Sequence, residues 1–191
     1  MTLLVLASLL GCRQPMPEKE RDWRDGRQRA VMAALPTAAR SSLHALRFFP
    51  FDRAYRVRTM IAPVVPPQPL TLAASDGSTR PAHRVGTVKV ALPEGGATLS
   101  LYRLDDMAAS APDHLFLPFK DAAAGRETYG SGRYLEVQAL PGGVVELDFN
   151  RAYNPDCAYG ISGQCPITPA ENTLAFVVAA GEMNPEGAAT H

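Results

Sequence analysis

The stretch DFNRAYNPDCAYGISGQCP, Asp148 to Pro166, gathers side chains that could do chemistry: Asp148, Asn150, Tyr153, Asn154 and the cysteines Cys157 and Cys165. Glu171, Asn172 and Glu182 follow, and Tyr129 and Arg133 precede. Asp148, Glu171 and Glu182 offer carboxylates for acid–base work in hydrolysis, with Tyr129 or Tyr153 as a proton donor or acceptor. Nucleophilic catalysis needs a nucleophile, a base and a group that orients the base. The histidines, His44, His83, His114 and His191, all stand outside this stretch, so no Ser-His-Asp set is specified and no catalytic residue is assigned.

Strand alternation sorts these residues by face. In GRYLEVQ, Gly132 to Gln138, Arg133 shares a face with Leu135 and Val137, whereas Tyr134 and Glu136 point away. An arginine among apolar neighbours is costly unless paired, and Asp121, Glu127, Glu171 and Glu182 are candidate partners. One reading is a planar fork presented in a cavity to a carboxylate or phosphate. The other, which we favour, is a buried ion pair that fixes the neighbouring loop. In VVELDFN, Val145, Leu147 and Phe149 share one face, and Glu146 and Asp148 the other. Asn150 and Asn154 suit turn capping of their own backbone. Glu171 with Asn172 reads either as a hydrogen-bond clamp at a strand entry or as a ligand contact.

The elements that must position these groups are mostly strands. VGTVKVAL, Val85 to Leu92, and TLSLYRL, Thr98 to Leu104, flank a Pro-Glu-Gly-Gly turn. GRYLEVQ and VVELDF flank a second turn containing Pro141, Gly142 and Gly143. The near-continuous apolar run TLAFVVAA, Thr173 to Ala180, is expected as a central strand. PVVPPQP, Pro63 to Pro69, reads as a stiff extended connector between strands. Glu18 to Leu35 predicts one helix with Trp23, Val31 and Leu35 on its apolar side, interrupted at Gly26 and stopped by Pro36. Trp23 is read as a packing anchor. The fold class expected is mainly β, an antiparallel sandwich or barrel-like meander with one N-terminal helix.

Nineteen basic and nineteen acidic residues cancel, and no finger or phosphate loop is present, which argues against a nucleic-acid partner. The front is nevertheless basic: Arg13 to Arg58 holds eleven Lys/Arg against five Asp/Glu. MTLLVLASLLGC is too short in its apolar part to span a bilayer permanently. Its end, Leu9-Leu10-Gly11-Cys12, resembles the lipobox of bacterial lipoproteins, although no Lys or Arg precedes the apolar run. The resemblance implies a signal peptide at 1–11 and lipidation of Cys12. A lipid-anchored tether and helix at 12–47 would then lead into a β-rich domain at 48–183 and a tail at 184–191. It implies a cell-envelope protein facing the periplasm, with the outer membrane favoured because Arg13 is not the aspartate used for inner-membrane retention. With Cys12 consumed, Cys157 and Cys165 remain as one pair in an oxidising compartment, the arithmetic of a disulfide. A metal would need two further ligands that the loop AYGISGQ lacks. Neither a metal nor a cofactor is expected.

FLPFKDAAAGRETYGSGRYLEV, Phe116 to Val137, the run from Val144 to Glu182, and FFPFDRAYRV, Phe48 to Val57, together resemble the DUF1684 family of bacterial and archaeal proteins, many of them exported. The resemblance covers most of the chain after the signal and implies no established activity, substrate or catalytic residue. The function expected is therefore a non-catalytic envelope protein that binds a small molecule, glycan or protein partner at a disulfide-pinned polar site. The alternative is an envelope hydrolase using Asp148 and Glu171.

Overall fold

The computed structural model describes residues 15–37, 40, 45–162 and 164–185. The expected signal, Cys12, His44 and His191 lie outside the described residues. Helix α1, Glu18–Ala34, ends where Pro36 forces Leu35 out of the helical region. It runs through Gly26 without a break, because a glycine costs a helix only about 1 kcal/mol and tertiary contacts hold this one on both sides of it. Before Gly26, the fully buried Glu20 carboxylate pairs with Arg24 and Arg151, each at 3.2 Å. Beyond it, Arg27 reaches Glu182 at 2.8 Å, and Val31 and Leu35 pack with Leu46 and Tyr159. No helix among the described residues is long and apolar enough to cross a membrane.

Six strands follow: β1 Arg56–Ala73, β2 Thr79–Leu92, β3 Gly95–Leu104, β4 His114–Phe119, β5 Arg133–Leu140 and β6 Val144–Asp148. Each pairs antiparallel with the next and β6 returns to β1, so the meander closes into a barrel. Closure removes the two outer edge strands that an open six-stranded sheet would have. Inward residues such as Val88, Leu101, Leu117, Val137 and Leu147 fill the interior, as expected for a barrel too narrow for a channel. A second apolar cluster, which includes Leu72, Tyr102, Phe116 and Tyr134, lies on the opposite face of the same strands.

Two expectations are corrected. Pro63 to Pro69 is no connector: it lies inside β1, whose register with β2 shifts between Pro63 and Gln68. Prolines that cannot donate to a ladder are tolerated at such a bulge. The run Thr173–Ala180 forms no strand beyond a single bridge between Thr173 and Lys120. Instead it plugs one end of the barrel, with Leu174, Val178 and Ala180 buried in the central core. Its apolar continuity reports burial on all sides, not membership of a sheet. At Gly181 the plug turns with φ 76°, and a Cβ there would stand 2.5 Å from the Ala152 carbonyl oxygen, so only glycine fits.

Candidate functional site

Much of the polar motif is scaffold. Arg133, 1% exposed, projects from β5 into the plugged end. Its Nη2 donates to Asp121 Oδ2 at 2.8 Å and to the Val178 carbonyl at 2.9 Å. Its Nη1 donates to the Glu182 carbonyl at 3.0 Å and to the Ala180 carbonyl. Burial pulls the guanidinium below its ordinary pKa and Asp121 opposes that shift. One side chain thus supplies the donors that a neighbouring strand would have given the plug. Of the proposed partners, Asp121 is the carboxylate used, and Glu182 contributes its backbone.

The Glu182 side chain, fully buried, serves α1 instead. It accepts from Arg27, from the Asn154 N–H at 2.8 Å and from the Tyr159 hydroxyl at 2.7 Å. Asn154 Nδ2 in turn donates to the Met183 carbonyl at 2.8 Å. Burial first, then the Glu182 charge, raises the Tyr159 pKa far above its usual value. Asn150 clamps the Asp52 backbone, accepting from its N–H at 3.0 Å and donating to its carbonyl at 2.9 Å. Tyr129 is buried, and its carbonyl accepts the Gly132 N–H at 3.0 Å.

The Asn172 amide clamps the seam between β3 and β4. The β3–β4 ladder contains only Tyr102↔Phe116; the next facing positions are Ser100 and Pro118, and Pro118 has no N–H to give. The Asn172 amide enters there, accepting from Ser100 N–H at 2.7 Å and donating to the Ser100 and Pro118 carbonyls at 2.9 and 2.7 Å. Glu171, half exposed, accepts the Tyr102 hydroxyl at 2.8 Å and lies 3.9 Å from Arg84. Cys157 and Cys165 form the disulfide. Its loop docks on the β1–β2 hairpin tip, where the Cys165 carbonyl accepts Ser75 N–H at 3.0 Å and Ala74 bridges Pro166. Among the described residues it shares no hydrogen bond with Asn150, whose partners are Asp52 and Asp148.

Asp148 and Tyr153 have a different setting, a groove of about 590 Å³ between α1 and strands β5, β6 and β1. It exists because β5 and β6 pair only at Ala139↔Val145 and Leu140↔Val144, while Tyr134 further along β5 pairs with Tyr153 instead. Where the two strands part, Leu135 and Leu147 of the core form the floor, and Trp23 closes one side. The rim carries Arg56, Arg58 and Arg151 against Glu136, Glu146 and Asp148. Arg56 pairs with Asp148 at 2.6 Å and Arg58 with Glu146 at 3.9 Å; Arg151 lies 3.9 Å from Asp148. The Tyr153 hydroxyl donates to Glu136, which also hydrogen-bonds His114. Burial, then the Glu136 charge, raises the Tyr153 pKa far above its usual value.

Asp148 is thus committed to Arg56 and to Asn150, whose Nδ2 donates to it at 2.8 Å. Glu171 does not line the groove, and the two carboxylates proposed for hydrolysis share no partner. Among the described residues no cluster of three or more His, Cys, Asp or Glu could hold a metal. Trp23, read from the sequence as a packing anchor, lines the groove, and the groove residues passed over in the sequence are Arg56, Arg58, Glu136, Glu146 and Arg151. Their signal is the outward half of the alternation, Arg56/Arg58, Glu136/Gln138 and Glu146/Asp148, on three strands that meet only in the fold.

Fold and groove together define a small antiparallel β-barrel protein with a helix docked across its closed end. The family model described as "Protein of unknown function (DUF1684)" matches residues 41–183, and the chain belongs to that family. A solution NMR structure of an uncharacterized protein from Haloarcula marismortui is similar, with 31% identity and a TM-score of 0.65, over 88% of this chain and 97% of that one. No curated protein matches.

Proposed function

We propose that this chain is a lipid-tethered, non-catalytic protein of the cell envelope, facing the periplasm from the outer membrane, whose groove binds a neutral hydroxyl-rich ligand such as a glycan. The observation that carries this reading is the rim: three arginines face three carboxylates, several of them already paired, around an apolar floor and an indole. Such a rim offers many directional donors and acceptors but no net field to attract an ion, and a floor with an aromatic wall suits the apolar face of a sugar. The Leu9-Leu10-Gly11-Cys12 end and the Cys157–Cys165 disulfide support the envelope assignment.

Trp23 is the only tryptophan and lines the groove, so its emission reads occupancy directly. Titration with N-acetylglucosamine oligomers and maltodextrins should give a saturable emission change. Arg58→Ala and Glu146→Ala should weaken it about tenfold while leaving stability nearly intact, because an exposed pair of this kind contributes about 0–1 kcal/mol. Absence of any saturable change across both sugar series would remove the glycan reading. Appearance of shortened oligosaccharides by mass spectrometry, lost in Asp148→Asn, would replace it with the hydrolase. The tether is tested separately by the intact mass of protein taken from its native envelope, where a free unprocessed N-terminus would overturn it.

A further inference from the structure

The end of the barrel opposite the plug is open. Its mouth is a cavity of about 530 Å³ whose lining includes Met60, Val65, Val85, Leu115, Arg103 and Asp113. Below it the interior is filled by Leu99, Leu101 and Leu115, so an occupant stays in the mouth. Arg103 sits two residues beyond Leu101 on the same face of β3, which directs it to the barrel axis. Its Nε is shielded from solvent, and among the described residues it has no hydrogen-bond partner and the side chain makes no ion pair. Asp105, the nearest acid along that face, is engaged by His83 at 2.8 Å. A shielded, unsatisfied guanidinium nitrogen is an unfavourable arrangement that an incoming acceptor would relieve.

A second observation points to the same place. The exposed large apolar side chains among the described residues are Met60, Val65 and Ile167, and the first two, 65% and 84% exposed, form the lip of this mouth. Exposed apolar surface gathered around a concavity marks a binding site more often than chance exposure does.

We propose that the barrel mouth binds a small amphiphilic carboxylate, its head on Arg103 and its apolar body between Val85, Leu115 and the Met60–Val65 lip. The volume suits a medium-length chain and is too small for a two-chain lipid. The arginine fork matches a carboxylate bidentately. The exposed Asp113 carboxylate at the rim opposes a second negative charge, which selects a monoanion over a phosphate dianion. The site is separate from the groove, so the two proposals stand or fall independently.

Calorimetric titration with decanoate below its micelle concentration, against decanol and decyltrimethylammonium of the same chain length, provides the test. Decanoate should bind saturably at one site, decanol at least tenfold more weakly, and the ammonium not at all. Arg103→Met should cost decanoate about tenfold or more while leaving decanol unchanged. Val65→Asp, at an exposed lip position, should weaken decanoate as well, and it keeps the test decisive if Arg103→Met fails to fold. Equal binding of decanoate and decanol would overturn the proposal. So would an unaltered affinity in Val65→Asp, or no decanoate binding by a protein that sediments with phosphatidylglycerol vesicles through this lip.

Discussion

The two ends of the barrel each receive an arginine from the inward face of a strand, Arg133 from β5 and Arg103 from β3, and treat it in opposite ways. At the closed end Arg133 meets Asp121, the plug carbonyls of Val178 and Ala180, and the carbonyl of Glu182 just beyond them. At the open end Arg103 meets none of these, and among the described residues its Nε lacks any hydrogen-bond partner. Residue type and inward facing are the same; the difference is whether the chain supplies acceptors. The plug arrives with a row of carbonyls that no strand can satisfy, and the mouth has no such segment. An arginine directed into a barrel is therefore scaffold where it completes the backbone's hydrogen bonding, and available to a ligand where it does not.

Breaking the closed end should have the largest effect. Arg133→Met leaves Asp121 buried and unpaired, and is expected to cost about 3–5 kcal/mol in urea denaturation. The pair Arg133→Met with Asp121→Leu should lose less than the sum of the single changes. If instead Arg133→Met costs under about 1 kcal/mol, the contrast between the two ends collapses.

Alkaline pH probes the same end next. Tyr153 and Tyr159 both hold their protons more tightly folded than unfolded, mainly through burial. A raised folded value means that the folded state binds more protons once the unfolded chain begins to ionise. Stability from these two groups is therefore fully present below pH about 10 and is lost as pH rises above it, by about 1.4 kcal/mol per pH unit for each group. Tyr159→Phe should flatten that slope measurably. A slope unchanged by Tyr159→Phe would show that the folded state does not hold the Tyr159 proton more tightly than the unfolded chain does.

Reduction of Cys157–Cys165 comes third, at about 2.5 kcal/mol from the short loop it closes. Hydrogen exchange should then speed up in 156–167 and at the β1–β2 hairpin tip, leaving the Arg133 neighbourhood protected. The smallest effect belongs to the open end. Arg103→Met removes an unsatisfied group and should leave the denaturation midpoint unchanged or slightly raised. A loss above about 2 kcal/mol would mean that Arg103 is scaffold like its counterpart.

The sequence makes some of this legible. The hairpins β2–β3 and β5–β6 follow from alternation broken by Pro- and Gly-containing turns, and α1 follows from its helix formers and Pro36. Alternation alone also places Arg133 against the core and so requires it to be paired. The plug is misread because a run apolar at every position looks the same whether it lies in a sheet or stops the end of one. Strand β1 is hidden by its prolines, which normally exclude a ladder but are absorbed in a bulge. The groove escapes notice because its residues come from the outward positions of three strands and one helix, each unremarkable alone. Arg103 escapes for the opposite reason: a lone arginine ending an apolar strand carries no signal until the emptiness around it is seen.

The Asn172 clamp sets an order of events on the chain. The seam between β3 and β4 cannot be completed by those strands, because Pro118 lacks the donor that Ser100 requires, and the missing amide lies 72 residues after Ser100 and 54 after Pro118. Until Asn172 has been synthesised, that line of the barrel has no amide to complete it. Closure of the seam is therefore coupled to a residue far along the chain from both of the strands it joins.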